Sequence, residues 1–418
     1  MKQFRICSFV LLAFVAFQSI ANADHHKYHK VLISSSNSAR VKKWELNGRD
    51  VTPDCPTNWS ITKTTLHGGK QEGVEVITVK NGKLEFAVSP TRGMGVLYVT
   101  QGDVRLGWDS PVKEIVHPRH INLESRGGLG WLEGFNEWMC RCGLESNGGP
   151  GLDKFINNVG DEAEMQLTLH GKIANIPASE VEVIVDKKAP YRIRIRGRVD
   201  EKMFYGPKLE LQTEISTVPG SNTFQIADEL TNVGASEQEY EMLYHANYGK
   251  GLLEGGSTFE AAIKHIAPIN ATAAKAIGTY NVYKAPTLGF IEEVFLIHPY
   301  GDDHNRTTIM LQNKAKDRAV SMSWSLDEIP YLTVWKNTAA MKDGYVTGLE
   351  PGTNFPNHRS IERKFGRVPK LKGGEKVRMA IDFAIHVGGK EVQALSGDIK
   401  SIQGDRKTTV QKEPTKVD

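Results

Sequence analysis

Val74-Glu75-Val76-Ile77-Thr78-Val79-Lys80-Asn81-Gly82-Lys83-Leu84-Glu85-Phe86-Ala87-Val88 reads as two strands folded back about Asn81-Gly82. Apolar and polar residues alternate on both sides of that pair, the period of a half-buried strand. Asn-Gly is the preferred dipeptide where a type I′ hairpin turn needs positive φ at both central residues. The pattern recurs along the chain. Alternating runs cover 181–185, 191–199, 209–216, 223–231, 307–311, 319–324 and 377–386, separated by turn-formers such as Asp186-Lys187-Lys188-Ala189-Pro190 and Val218-Pro219-Gly220-Ser221-Asn222. Long amphipathic helical patterns are scarce. Many short strands closed by tight turns predict an all-β antiparallel sandwich or barrel with few short helices.

The 418 residues would suggest two or three domains at about 150 each, but all-β sandwiches run to about 200–250 residues as one domain. We expect one β domain over residues 24–400. Ahead of it, Lys2 and Arg5 precede an apolar run from Phe9 to Phe17 that exits at Ala21-Asn22-Ala23. That order of basic start, short apolar run and small-x-small exit is a signal peptide over residues 1–23, which predicts cleavage before Asp24 and export to the periplasm or outside the cell. No cysteine follows the exit, which argues against lipid attachment. No other run reaches the roughly 20 apolar residues of a spanning helix. The formal charge is +3 and falls to +1 without Lys2 and Arg5, so no long-range field draws nucleic acid or an anionic membrane. Cys55, Cys140 and Cys142 remain after the signal, an odd number that cannot pair completely. Cys140-x-Cys142 lacks the spacing of a zinc site, and no metal or cofactor is expected. His25, His26 and His29 fall on what composition suggests is a frayed terminus. Residues 401–418 are polar and poor in large apolar side chains, the composition of a disordered tail.

The chemistry is concentrated in three places. Val346-Thr347-Gly348-Leu349-Glu350-Pro351-Gly352-Thr353-Asn354-Phe355-Pro356-Asn357 ends a strand-like run on a carboxylate. In an extended chain Val346, Gly348 and Glu350 share one face, so glycine rather than bulk lies beside the carboxylate. Met165-Gln166-Leu167-Thr168-Leu169-His170-Gly171 alternates and puts His170 on a polar face with Gln166 and Thr168. Glu241-Met242-Leu243-Tyr244-His245-Ala246-Asn247-Tyr248-Gly249 is a second strand-like run bearing a histidine. One carboxylate and two imidazoles at strand ends can perform general acid/base chemistry. Between the first hairpin and His170, Gly127 to Pro150 is glycine-rich and carries Trp131, Phe135, Trp138, Arg141 and Asn147. Flat aromatic faces there suit the C–H side of a sugar ring while polar groups suit its hydroxyls.

These motifs together resemble the aldose 1-epimerase (galactose mutarotase) superfamily, and more closely its branch known as a domain of unknown function. Leu349-Glu350-Pro351-Gly352-Thr353-Asn354-Phe355-Pro356-Asn357 resembles that superfamily's Leu-Glu-Thr-Gln-Asn-Phe-Pro-Asp. Leu169-His170-Gly171 resembles Leu-His-Gly-Gly, and His245-Ala246-Asn247-Tyr248-Gly249 resembles His-Ser-Tyr-Phe-Asn-Leu. Leu371-Lys372-Gly373-Gly374-Glu375 resembles the closing Leu-x-Pro-Gly-Glu turn, and the resemblance spans roughly Val74 to Val387. It implies a large antiparallel β-supersandwich whose concave face binds a mono- or oligosaccharide. It also implies that Glu350 is the base that takes the anomeric proton, while His245 protonates the ring oxygen and His170 holds it. Trp131, Asn147, Asn247, Trp335 and Asn354 would line the sugar, with Arg141 taking the place of the substrate-binding arginine by its order among the motifs. Two features depart from the superfamily: Pro351-Gly352 stands where a glutamine follows the base, and no aspartate matches the one that holds the sugar hydroxyls. A non-catalytic secreted sugar-binding sandwich, and a lyase or hydrolase of polysaccharide fragments, remain as alternatives on the same scaffold.

Overall fold

The computed structural model describes residues 26–416, and the signal-peptide reading over residues 1–23, with His25, lies outside them. Two large sheets, one of thirteen strands and one of ten, pack face to face. The alternating runs become strands with one residue added at most ends, the 191–199 run being displaced towards the C-terminus: Glu180–Asp186, Ile193–Lys202, Lys208–Thr217, Thr223–Asn232, Arg306–Gln312, Arg318–Ser325 and Lys376–Val387. All seven belong to the ten-stranded sheet, and their neighbours pair antiparallel. Side chains of one parity point inward. Ile195, Ile215, Ile226 and Phe383 meet Val79, Phe86 and Val88 of the other sheet in one continuous core. Phe86 stacks on Phe224 at 5.8 Å, and Trp138 stands edge-on to Phe224 and Phe383 at 5.5 and 5.1 Å.

The opening hairpin pairs Glu75–Lys80 with Glu85–Ser89, with Lys80 opposite Glu85. Its turn sits one residue later than the Asn-Gly pair suggests. Gly82 takes the positive φ of +93°, while Asn81 uses its side chain. The Asn81 amide donates to Thr217 Oγ1 and to the Val218 and Ser221 carbonyls, and its oxygen accepts from the Lys83 and Leu84 N–H groups. This buried asparagine clips a hairpin of one sheet to a turn of the other.

Both ends of the described residues are more ordered than their composition suggests. His29 lies in the strand Lys27–Ser34, which pairs with Glu180–Asp186, and its Nε2 is 2.5 Å from Glu182 Oε2. Residues 401–416 likewise differ from the disordered tail read from their polarity. The helix Gly389–Gln403 continues into them, burying Val392, Leu395 and Ile399 against Met310 and Ala319. Thr409–Val410 then pairs parallel with His265–Ile266 at the edge of the thirteen-stranded sheet. Backbone pairing with an open edge holds a strand whatever its side chains. Cys55, Cys140 and Cys142 are free thiols, and among the described residues no helix is long and apolar enough to cross a membrane.

Candidate active site

Five adjacent strands of the thirteen-stranded sheet carry the site: Glu293–Pro299, Tyr331–Asn337, Val346–Gly352, Glu241–Tyr248 and Met139–Leu144. Their inward residues, among them Leu349, Ala246, Tyr244 and Met139, belong to the main core. Their outward residues form a second cluster in which Val346, Leu243, Cys140 and Cys142 meet Trp108, Trp131 and Phe135. Registers between strands align the outward side chains in rows. Leu296 lies opposite Thr333, Thr333 opposite Glu350, and His245 opposite Cys140; on the intervening pair, Ala246 opposite Leu349 places His245 beside Glu350.

The consequence is a direct contact, with His245 Nε2 3.2 Å from Glu350 Oε1. Both side chains are buried, at 4 % and 2 % exposure. Glu350 Oε1 and His245 Nδ1 make no hydrogen bond among the described residues, so the pair is close without being fully aligned. Gly348 makes room for it. A Cβ at that position would stand 2.2 Å from Glu350 Oε1 and 3.2 Å from His245 Cε1, so only glycine fits beside the carboxylate.

His170 enters from outside the sheet. The preceding strand ends at Leu167 rather than running on through the histidine. His170 and Gly171 take φ values of +60° and +67°, a left-handed turn that costs a non-glycine residue energy and is held by its surroundings. The ring stands edge-on to His245, with centroids 5.2 Å apart, and to Trp131 at 4.6 Å. Its Nδ1 is 2.8 Å from the Asn147 carbonyl. A carbonyl only accepts, so Nδ1 carries the proton and Nε2 of the neutral ring is left as an acceptor.

Aromatic rings enclose the pair. Phe135, Trp335 and Trp131 have centroids 5.2, 5.6 and 5.9 Å from that of His245, and Trp335 donates from Nε1 to Glu292 Oε2 at 2.8 Å. This enclosure sets the electrostatics, because burial disfavours charge. It raises the Glu350 carboxyl well above its usual range, with the Glu292 charge adding to the rise. It lowers His245 well below the usual imidazole value, helped by His170, and lowers His170 to about 4. A carboxylate raised in this way is a stronger base when ionised.

The remaining sequence candidates fall into different places. Asn147 and Asn354 stand behind His170 in a buried bracket rather than against the His245–Glu350 pair. Asn147 Nδ2 donates to Asn354 Oδ1 at 2.9 Å, and both residues are tied to Glu241, whose Oε2 accepts the Asn147 N–H at 2.8 Å and whose Oε1 accepts Asn354 Nδ2 at 2.9 Å. Burial lifts Glu241 to about 7. Asn247 shares the face of His245 but ties strands together, donating from Nδ2 to the Glu137 carbonyl at 3.1 Å. Arg141 is not in the site. Strand alternation sends Cys140 and Cys142 outward and Arg141 inward, where Nε and Nη2 hold Asp228 of the opposite sheet at 2.5 and 2.9 Å. Sequence reasoning missed Glu292 and Glu241. Phe135 was visible among the aromatic residues of the glycine-rich loop; nothing local marked the two glutamates.

Residues 71–385 match the family described as Domain of unknown function (DUF4432). The chain belongs to that family. A crystal structure from Klebsiella pneumoniae subsp. pneumoniae MGH 78578, described as a "putative aldose 1-epimerase", is 41% identical, with a TM-score of 0.88 over 94% of this chain and 100% of that one. A galactose mutarotase-like protein from Clostridium acetobutylicum is 15% identical, with a TM-score of 0.53 over 83% of this chain and 99% of that one, a likeness of fold. The architecture is therefore that of a galactose mutarotase-like β-sandwich. Comparison with curated proteins gives no match.

Proposed function

We propose that the protein interconverts the anomers of a sugar by acid/base opening of the hemiacetal ring. The observation that carries this reading is the buried His245–Glu350 contact of 3.2 Å, with His170 edge-on to it and aromatic rings around it. Opening the ring requires a proton to leave the anomeric hydroxyl and another to reach the ring oxygen as the bond from that oxygen to C1 breaks. Burial keeps the resting pair neutral, and the reactive form arises when the Glu350 carboxyl passes its proton across the contact to His245 Nε2, which leaves Glu350 ionised and His245 protonated. Glu350 takes the O1 proton, His245 gives its own to the ring oxygen, and the open aldehyde forms. Rotation about C1–C2 exposes the other carbonyl face, and reclosure by the reverse transfers returns each proton to its origin as the opposite anomer. The acceptor Nε2 of His170 takes a hydrogen bond from a sugar hydroxyl and holds the ring.

Each well-placed acid or base contributes roughly 10²–10⁴-fold, ample for a reaction that water performs slowly. Trp131, Phe135 and Trp335 suit the C–H face of the ring. Polarimetry or saturation-transfer NMR over a panel of aldoses, deoxy sugars and uronates tests the reading. Acceleration of one sugar that is lost in Glu350→Gln supports it. Binding without acceleration, indifferent to that substitution, would instead make the protein a sugar-binding sandwich.

A further inference from the structure

The Glu350 row continues away from His245, through Thr333 to Leu296 and on to Ala267. Leu296 and Ala267 line a separate cavity of about 180 Å³. Neighbouring strands lie about 4.8 Å apart, so its floor begins about 10 Å from Glu350 on the same face of the same sheet. The next row supplies one wall. His298 and Phe355 line it and pack with Tyr331, the three ring centroids lying 4.8 to 5.3 Å apart. Between cavity and catalytic pair lies Thr333, 1 % exposed, whose Oγ1 makes no hydrogen bond among the described residues.

The lining chemistry is specific. The Arg367 guanidinium lies over Phe355 and Phe365, 5.3 and 4.3 Å from their centroids. Glu362 holds it through two bonds of 2.7 Å, so its charge is already matched and it adds a flat polar plane rather than an anion trap. His298, lowered to about 4 chiefly by burial, is neutral at pH 7, and Asn357 adds an amide to the lining. Aromatic faces with neutral donors and acceptors suit a hydroxylated ring that carries an apolar face.

We propose that this cavity is a second sugar subsite, so that the substrate is a reducing disaccharide or longer oligosaccharide whose terminal ring lies against Glu350 and His245. The inference rests on the acid/base reading of that pair. The offset of two strands, about 10 Å, is on the scale of a whole disaccharide measured from its anomeric end, and the buried Thr333 lies beneath the span between the two rings.

Glucose and xylose, compared with cellobiose, maltose, lactose and xylobiose, provide the test, with anomer interconversion followed by saturation-transfer NMR. At least one disaccharide should exceed its monosaccharide in kcat/KM by about tenfold, the scale of one added ring-on-aromatic contact. Leu296→Trp, which fills the cavity, should remove that advantage and leave the monosaccharide rate within about twofold. His298→Ala should reduce the advantage in part, and thermal melting checks that both variants fold. Equal rates for mono- and disaccharides, or an advantage that survives both variants, would overturn the subsite. If no sugar is accelerated, the acid/base reading fails by itself and calorimetric binding decides the subsite. Disaccharide binding lost in Leu296→Trp upholds it, and binding that is absent or unchanged refutes it.

Discussion

Two buried acid–base pairs lie back to back in the same part of the thirteen-stranded sheet, and they are built to opposite ends. Arg141 and His245 sit on neighbouring strands, where His245 faces Cys140 across the ladder and Arg141 faces Tyr244. On the inner side Asp228 is saturated, bound by two Arg141 nitrogens and by the Tyr244 hydroxyl at 2.8 Å, while Arg141 also reaches the Met94 carbonyl. On the outer side the 3.2 Å contact of His245 with Glu350 leaves a buried polar atom on each residue without a hydrogen bond among the described residues. A saturated pair holds two sheets in register. An unsaturated one keeps capacity for a proton or a ligand.

Substitutions that separate these roles test the contrast. The largest effect is expected at Glu350→Gln, which keeps shape but removes the base and should slow anomer interconversion by roughly 10²–10⁴-fold with little change in melting temperature. Arg141→Met should do the reverse. It strands Asp228 between the sheets at a cost of about 3–5 kcal/mol, read by denaturant unfolding, while molecules that remain folded keep their turnover. An Arg141 variant of unchanged stability would break the comparison.

Gly348→Ala should fall between the two, because its Cβ would stand 2.2 Å from Glu350 Oε1. Displacing the carboxylate should cost about 1–3 kcal/mol of strain and much of the rate. Glu241→Gln should act more weakly, through the bracket behind His170, raising KM more than it lowers kcat. The smallest effect concerns pH. His170 is held at about 4 in the fold, against 6.5 for a free imidazole. The unfolded chain therefore gains a proton first, and stability is lost as pH falls from about 6.5 towards 4. His170→Gln should flatten that part of the stability profile.

The ten-stranded sheet was largely legible because side-chain alternation is local: each of the seven runs read from it announces itself within five to ten residues. The space beside Glu350 was legible for the same reason, since Gly348 is two positions away on the same face. What could not be read was register. The Glu350–His245 contact joins positions more than a hundred residues apart, and nothing in either motif specifies which rungs align. Arg141 shows the cost of reading order without parity: its place among the motifs was right for a ligand contact, but it points the other way from Cys140 and Cys142. His170 was read as a strand residue, whereas it occupies a left-handed turn that a local pattern of apolar residues does not encode.

The short parallel pairing of Thr409–Val410 with His265–Ile266 bears on how the molecule behaves in a crowded solution. An uncovered outer strand is a template for another chain. The C-terminal stretch occupies that position, with the Gln411 N–H bonded to the Ile266 carbonyl at 2.9 Å and Pro414 following, a residue that cannot extend a ladder. A chain cut after Gly404 would keep both sheets and the helix but bare its flank, and light scattering should show it self-associating while the full-length protein stays dispersed.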